Sequence, residues 1–359
     1  MENNALARLG KATQMLAEAK TLDEVKHIMD IAEAARTYAR AAKLGLAAYN
    51  HAAEVKVRAE RKAGEFLKQL ERNIGGDRKS IGQDVQLISE YKQVLDDNGV
   101  SYKTAHRWQE VAKMAEEVFE AHLEDMRGEK PITTSAAIKE VKTTERNEAR
   151  SEMSEQAATI PASDRYNIHC ADMRTWQGPR EYDFIITDPP YPKEYLPLWS
   201  ALADRALDWL KPDGLLIAMS GHLYLNDIYS MLDERLFYYW TACYLTPGQP
   251  TPLRTRQVNT TWKPLLIYSK SGKYNGKTFG DVFKSDGNDK DHHKWGQSIS
   301  GMTSIISMIC LPGQTILDPF CGAGSTGVSA VMHGCLFDGL DIEQENVNIS
   351  ISRISEALK

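Results

Sequence analysis

The sequence predicts two regions of different class. An all-helical N-terminal region spans 1–142, and an α/β region over 163–359 is built on a doubly wound, mostly parallel sheet of seven strands. Three observations carry this reading. Residues 1–72 are dominated by Ala, Leu, Glu, Lys and Arg, with apolar residues at three-to-four spacing, the period of a helix. Beyond 163, short apolar runs alternate with helical stretches, the pattern of a sheet wound with helices on both faces. Two of those runs end in turn-forming motifs, Asp188-Pro189-Pro190-Tyr191 and Asp318-Pro319-Phe320-Cys321-Gly322-Ala323-Gly324. Such sheets bind ligands at the carboxyl ends of their strands, where both motifs fall.

Composition sets the outer bounds. A chain of 359 residues, 42% hydrophobic and 26% charged, can bury a sizeable core without disulfide staples. No apolar stretch approaches the ~20 residues of a membrane span, and the polar N-terminus carries no signal-peptide core. The five cysteines (170, 243, 310, 321, 335) form no CxxC pair. They read as reduced thiols of a cytoplasmic protein, with no metal site expected. His292 and His293 are adjacent but lack companion ligands nearby in sequence.

In the N-terminal region, Thr21-Leu22-Asp23-Glu24 reads as a capping box that starts a helix. The pattern over 32–70 is interrupted only by Gly45. Its length predicts a helical hairpin or coiled-coil arm, which could support a homodimer. Residues 73–83 read as a loop. A helix over 85–95, a turn at Asp97-Asn98-Gly99-Val100-Ser101 and a helix over 102–114 follow, the helix-turn-helix pattern within 84–115. Val85, Ile88, Leu95, Val100, Ala105, Trp108 and Val111 would form its core. Lys103, Thr104, His106 and Arg107 would face outward as DNA contacts; many helical hairpins share the pattern without touching DNA. Residues 143–162, polar and without apolar period, read as a linker.

In the α/β region strands are predicted at 166–170, 182–187, 215–219, 237–244, 264–269, 315–318 and 335–341. Helices are predicted at 196–210, 302–310, 326–333 and 344–358. The net charge of −6 argues against nucleic acid, but its distribution does not. Residues 236–280 contain no Asp or Glu and hold Arg254, Arg256, Lys263, Lys270, Lys273 and Lys277, interleaved with Tyr238, Tyr239, Trp240, Tyr244, Trp262, Tyr268 and Tyr274. That reads as a phosphate-facing surface. The bland alternative is core strands with solvated lysines at their ends.

Each motif has its own chemical logic. Two consecutive prolines exclude helix and fix an extended loop after the strand at 182–187. The glycines after 318 let the backbone turn tightly and approach a ligand, and the helix that follows presents its N-terminus. There is no P-loop Lys-Ser/Thr and no full GxGxxG. Alone, each run could be an ordinary turn; the two together reinforce one another.

Asp188-Pro189-Pro190-Tyr191 resembles the catalytic motif of amino-methyltransferases acting on nucleobases, and the FxGxG run after Asp318-Pro319 resembles their S-adenosylmethionine (SAM) loop. Their order resembles the permuted β group of DNA methyltransferases, over about 167–354. The resemblance implies a Rossmann-like SAM-methyltransferase fold and a SAM cofactor. It also implies methyl transfer to a flipped-out base of double-stranded DNA, with no covalent enzyme intermediate. Asp188 and the Pro189 carbonyl would accept both N–H groups of the base amine and localise its lone pair, while Tyr191, beside Pro190, offers a stacking face. Cofactor contacts implied are Asp172, Gln297, Ser298, Asp318, Phe320, Gly322, Gly324, Ser325, Thr326 and Asp341, the last toward ribose. His293-Lys294-Trp295-Gly296-Gln297-Ser298 departs from the family's His-Pro-Thr-Gln-Lys-Pro form. DNA contacts are expected at Arg254, Arg256, Lys263, Lys273 and Lys277, with Lys103 and Arg107 adding affinity. Asp at 188 favours adenine N6; N4-cytosine enzymes usually carry Ser there. C5-cytosine chemistry needs a Pro-Cys pair that this chain lacks, and glutamine methylation usually has Asn there. RNA stays open as substrate, as does a DNA-binding regulatory protein with a degenerate methyltransferase domain. Target recognition is expected in 271–292, a short insert implying a short or relaxed site. A restriction–modification partner or an orphan phage or bacterial enzyme would suit the chain, which carries no nuclease signature.

Overall fold

The structure is a computed structural model that describes residues 2–74, 91–246, 250–286 and 298–359. It divides into two compact units, Met1–Glu145 and Arg146–Lys359.

The first unit is all helical. Helices α1 (Glu2–Glu18), α2 (Leu22–Ala41) and α3 (Leu46–Ile74) precede helical turns at 91–97, α4 (Tyr102–Val111), α5 (Glu116–Glu129) and α6 (Thr134–Ala157), inside which the boundary between the units falls. The Thr21 capping box forms as read, with the Thr21 hydroxyl accepting from Glu24 N and the Glu24 carboxylate accepting from Thr21 N. Of the two expected forms, hairpin or coiled-coil arm, it is a hairpin: Lys43 and Gly45 take positive φ (53° and 87°) and turn α2 back as α3. Its apolar stripe is consumed internally, because Val25, Ile28, Ala32, Ala59, Ala63 and Leu67 bury against α1 and α4. Gly64 permits close passage of α3 over α4, since a Cβ there would fall 2.1 Å from the Trp108 carbonyl oxygen.

Within the helix-turn-helix pattern, Val85 and Ile88 lie outside the described residues. Leu95, Val100, Ala105, Trp108 and Val111 are buried, Ser101 caps α4 by accepting from Thr104 N at 3.1 Å, and Lys103, His106 and Arg107 are exposed. The second helix stops at Val111, short of the predicted end.

The 143–162 linker is a correction. Residues up to Ala157 continue α6, because Glu-, Arg- and Ala-rich sequence carries a helix without a strong apolar face. The stretch then docks within the second unit on α11 (Gln344–Ala357): Arg150 pairs with Glu345 at 3.0 Å, Asn348 donates to Ser154, and Ser352 to the Met153 carbonyl.

The second unit is a doubly wound sheet of eight strands, one more than predicted. Its strands are β1 (Tyr166–Cys170), β2 (Tyr182–Thr187), β3 (Leu210–Met219), β4 (Phe237–Leu245), β7 (Trp262–Ser269), β8 (Val282–Lys284), β9 (Thr315–Asp318) and β10 (Leu336–Asp341), in the order β1-β10-β9-β2-β3-β7-β4-β8. The first five in that order are parallel; β7 runs antiparallel to both β3 and β4, and β8 is parallel to β4. A separate hairpin, β5 (Thr251–Leu253) with β6 (Val258–Thr260), was not predicted. Helices α7 (Pro197–Trp209), α8 (Leu225–Asp233), α9 (Ile299–Ile309), α10 (Ser325–Met332) and α11 cover the faces. One core lies with α9, α10 and α11, the other with α7 and α8. Among the described residues no helix is long and apolar enough to cross a membrane.

Candidate active site at the strand switch point

Strands β2 and β9 are neighbours in register, Phe184 opposite Ile316 and Ile185 opposite Leu317. From β9 the chain passes through α10 to β10 on one side; from β2 it passes through α7 to β3 on the other. Crossovers that diverge in this way open a crevice at the carboxyl ends of the two strands. The two motifs, far apart in sequence, meet there.

On the β2 side, Tyr191 folds back so that its hydroxyl donates to Asp188 Oδ1. Burial, and then the adjacent Asp188 carboxylate, push the Tyr191 phenol well above its ordinary range. It therefore stays a neutral donor and orients the carboxylate. Gly221 lies against the Tyr191 ring, and Lys263 Nζ sits 5.1 Å from its centroid.

On the β9 side, Asp318 is 3% exposed and accepts from Thr187 Oγ1 (2.7 Å), Thr326 Oγ1 (2.7 Å) and Phe320 N (3.1 Å). Burial pushes its carboxyl up to about 6, against the lowering effect of those three donors. Thr187 immediately precedes Asp188, so the Asp318 carboxylate ties β2 to the glycine loop.

The loop takes positive φ at Gly322 (52°) and Gly324 (80°). At Gly324 a Cβ would fall 2.9 Å from Ser350 Oγ, so no side chain fits there. At Gly322 a Cβ would meet nothing within 4 Å, leaving open space beside the backbone. The loop is held from α11: Ser350 Oγ donates to Gly322 O (2.7 Å) and buried Arg353 to Ala323 O (2.6 Å). Asp341, at the end of β10, accepts from Gly322 N (3.0 Å) through one oxygen and from Glu343 N and Asn346 Nδ2 through the other. Next to it, Ile342 is 73% exposed.

Residues 182–352 match the family described as DNA methylase, of the N6/N4 type. The candidate methylase YubD of Escherichia coli (strain K12) is 24% identical over 198 residues, covering 48% of this chain and 81% of YubD. The crystal structure of an M1.HpyAVI–SAM complex is similar at 24% identity and a TM-score of 0.45, over 52% of this chain and 98% of that one. The cytosine-N4-specific PvuII DNA methyltransferase is similar at 15% identity and a TM-score of 0.46, over 54% and 87%.

Several residues of the second unit that the sequence marks for a cofactor also hold bonds within the chain. Asp318 and Thr326 spend their side chains on each other and on Thr187, so they brace the loop. Ser298 caps α9, accepting from Gly301 N at 3.1 Å and sharing 2.7 Å hydrogen bonds with Ser285 and Ser300. Phe320 packs half-buried on the α7 side, Ser325 is buried at the start of α10, and Gln297 lies outside the described residues. Asp172 follows β1, which pairs Cys170 with Asp341, and its carboxylate binds the Arg174 side chain at 2.5 Å. Asp341 and the glycines stay at the open crevice.

The basic stretch over 236–280 does not form one surface. Because β7 is antiparallel, Lys263 lies near its start at the end that carries Asp188, where Ser220 N donates to Pro264 O, while Lys270 follows its last residue beside the amino end of β3, donating to Leu210 O. A strand of this length spans about 23 Å. Lys273 and Lys277 follow at the far end, Lys277 donating to Ser307 O near the end of α9, and so stand away from the Asp188–Tyr191 loop. Exposed Phe237, Tyr238 and Trp240 open β4 at that same far end.

Sequence reasoning missed three residues. Ile342 was signalled by being apolar directly after a strand-terminal acid. Tyr244, buried at the carboxyl end of β4, has its phenol pushed up chiefly by burial and also by Asp188, and its hydroxyl requires Gly301 opposite. His222 follows Gly221 and has no sequence signal at all.

Proposed function

We propose that this protein is a SAM-dependent DNA methyltransferase whose target is adenine N6. The observation that carries this reading is the junction of Asp188-Pro189-Pro190-Tyr191 with the glycine loop at one switch point. SAM, when bound, supplies an electrophilic methyl group. Gly322, Gly324 and Phe320 would face it along the loop; Asp341 and Ile342 fit a polar ribose and an apolar adenine face, with Asp172 nearby. The open space at Gly322 and the exposed Ile342 suit that group. Asp188 and the Pro189 carbonyl accept the two N–H groups of the base amine, which draws the nitrogen lone pair out of the ring. Tyr191 keeps the carboxylate oriented and presents its ring to the base. An Asp in this position supports adenine over cytosine.

The test is incubation with labelled SAM and unmethylated duplex DNA, followed by nucleoside chromatography. Label in N6-methyladenine is expected. Label in N4-methylcytosine keeps the chemistry and changes the base, and label only with RNA changes the substrate.

The N-terminal unit adds DNA affinity through the exposed face of α4 in this reading. Lys103→Ala with Arg107→Ala is expected to weaken duplex binding and reduce the salt slope by about 2. An unchanged slope removes that role from the unit.

A further inference from the structure

The segment expected to read the target, 271–292, is described to residue 286. It returns from the far end of the sheet along α9. Tyr274 packs edge-on against Phe184 and Phe279, Gly280 lies against Met308, and β8 joins β4. The element that continues past the catalytic end is the β5–β6 hairpin between β4 and β7.

That hairpin has the chemistry of a nucleic-acid arm. Residues 246–261 contain Arg254 and Arg256 and no acid. Thr251, Arg254, Thr255, Arg256, Gln257 and Asn259 are exposed, an array of donors around a two-strand ribbon, and Val258 is 53% exposed among them. The Arg254–Gln257 turn is tight, with Gln257 at a φ of 55°.

Its base is fastened to the catalytic loop. Thr246 donates to Thr261 O through both its N–H and its hydroxyl, each at 3.0 Å. Trp262 O receives the Thr260 hydroxyl at 2.8 Å and His222 Nε2 at 2.9 Å, an arrangement satisfied when His222 carries its proton on Nε2. The His222 ring meets Trp262 edge-on at 4.7 Å. His222 adjoins Gly221, which touches Tyr191, and Lys263, three residues past the last Thr of the hairpin strand β6, lies over the Tyr191 ring.

We propose that the β5–β6 hairpin is the arm by which this domain grips double-stranded nucleic acid beside the extruded base. Arg254 and Arg256 take backbone phosphates, and the tether through His222 keeps the arm in register with Tyr191. This rests on the methyltransferase reading above. Each phosphate neutralised contributes about 0.9 to the slope of log affinity against log salt on duplex DNA.

The experiment uses the full chain with Arg254→Ala and Arg256→Ala combined, and Lys273→Ala with Lys277→Ala as the control pair. SAM affinity is measured in all proteins, and duplex affinity across a salt series. The proposal expects unchanged SAM affinity in both variants. In the first pair it expects duplex affinity at least tenfold lower and a salt slope smaller by about 2; the control pair should match wild type. An unchanged slope in the first pair, or the larger loss in the control pair, overturns the arm while leaving the enzyme reading intact. A wild-type chain that binds SAM but no duplex overturns both.

Discussion

Asp188→Ala is expected to lower kcat for DNA methylation by about a thousandfold while leaving SAM affinity within twofold, the scale of loss when a positioned acceptor is removed from a transition state. An exocyclic base amine is a weak nucleophile because its lone pair is shared with the ring. Asp188 is the anionic acceptor at the mouth of β2, oriented by the Tyr191 hydroxyl. Its removal leaves only the neutral Pro189 carbonyl to accept, so the nitrogen is less pyramidal when the methyl arrives. SAM affinity should survive because the glycine loop is held from α11 and Asp341, through Ser350, Arg353 and the Gly322 amide, none of which involves Asp188. Single-turnover rates and equilibrium SAM titration check the two halves separately. A variant that keeps a tenth of the wild-type rate, or that loses SAM binding, assigns Asp188 a different role.

Asp318→Asn is expected to trade activity for stability. The folded carboxyl titrates at about 6, above the ordinary value near 4, because burial disfavours its charge. Between those two values the folded state holds a proton that the unfolded state has lost, so stability falls as pH rises from about 4 to 6 and is flat beyond. The shift of about two units corresponds to roughly 3 kcal/mol at pH 8. Asn removes that penalty, and the variant should gain about 2 kcal/mol at pH 8 relative to wild type and little at pH 4. It should also lose function, because one amide oxygen cannot replace two carboxylate oxygens accepting from Thr187, Thr326 and Phe320 N. A KM for SAM raised about tenfold is expected, the scale of one lost charge-assisted hydrogen bond. Denaturant melts at the two pH values and SAM saturation curves measure these effects. A variant less stable than wild type at pH 8 means that the hydrogen bonds outweigh the burial of the charge.

Much of the second unit was legible in the sequence because its signals are local. The runs at 166–170, 182–187 and 315–318 are strands with those bounds, since continuous apolar runs closed by turn-forming residues leave the backbone few alternatives. The placement of both motifs at carboxyl ends of strands follows from the same punctuation. Length and composition also set the helical class of the first unit, and the Thr21 and Ser101 caps are local hydrogen bonds that a tetrapeptide can specify.

What the tertiary structure alone decided is direction and neighbourhood. Nothing in 236–280 announces that β7 turns back between β3 and β4, and that reversal sends Lys273 and Lys277 to one end and Arg254, Arg256 and Lys263 to the other. Resemblance marked Asp318 and Thr326 for the cofactor; only the adjacency of β2 and β9 shows that Asp318 also accepts from Thr187. Residues 143–157 lack an apolar period, so their helix becomes necessary only through its docking on α11. The chemistry of each motif resides in its own few residues and is readable there. Which motifs face one another depends on strand order, a property of long-range pairing that no local stretch contains.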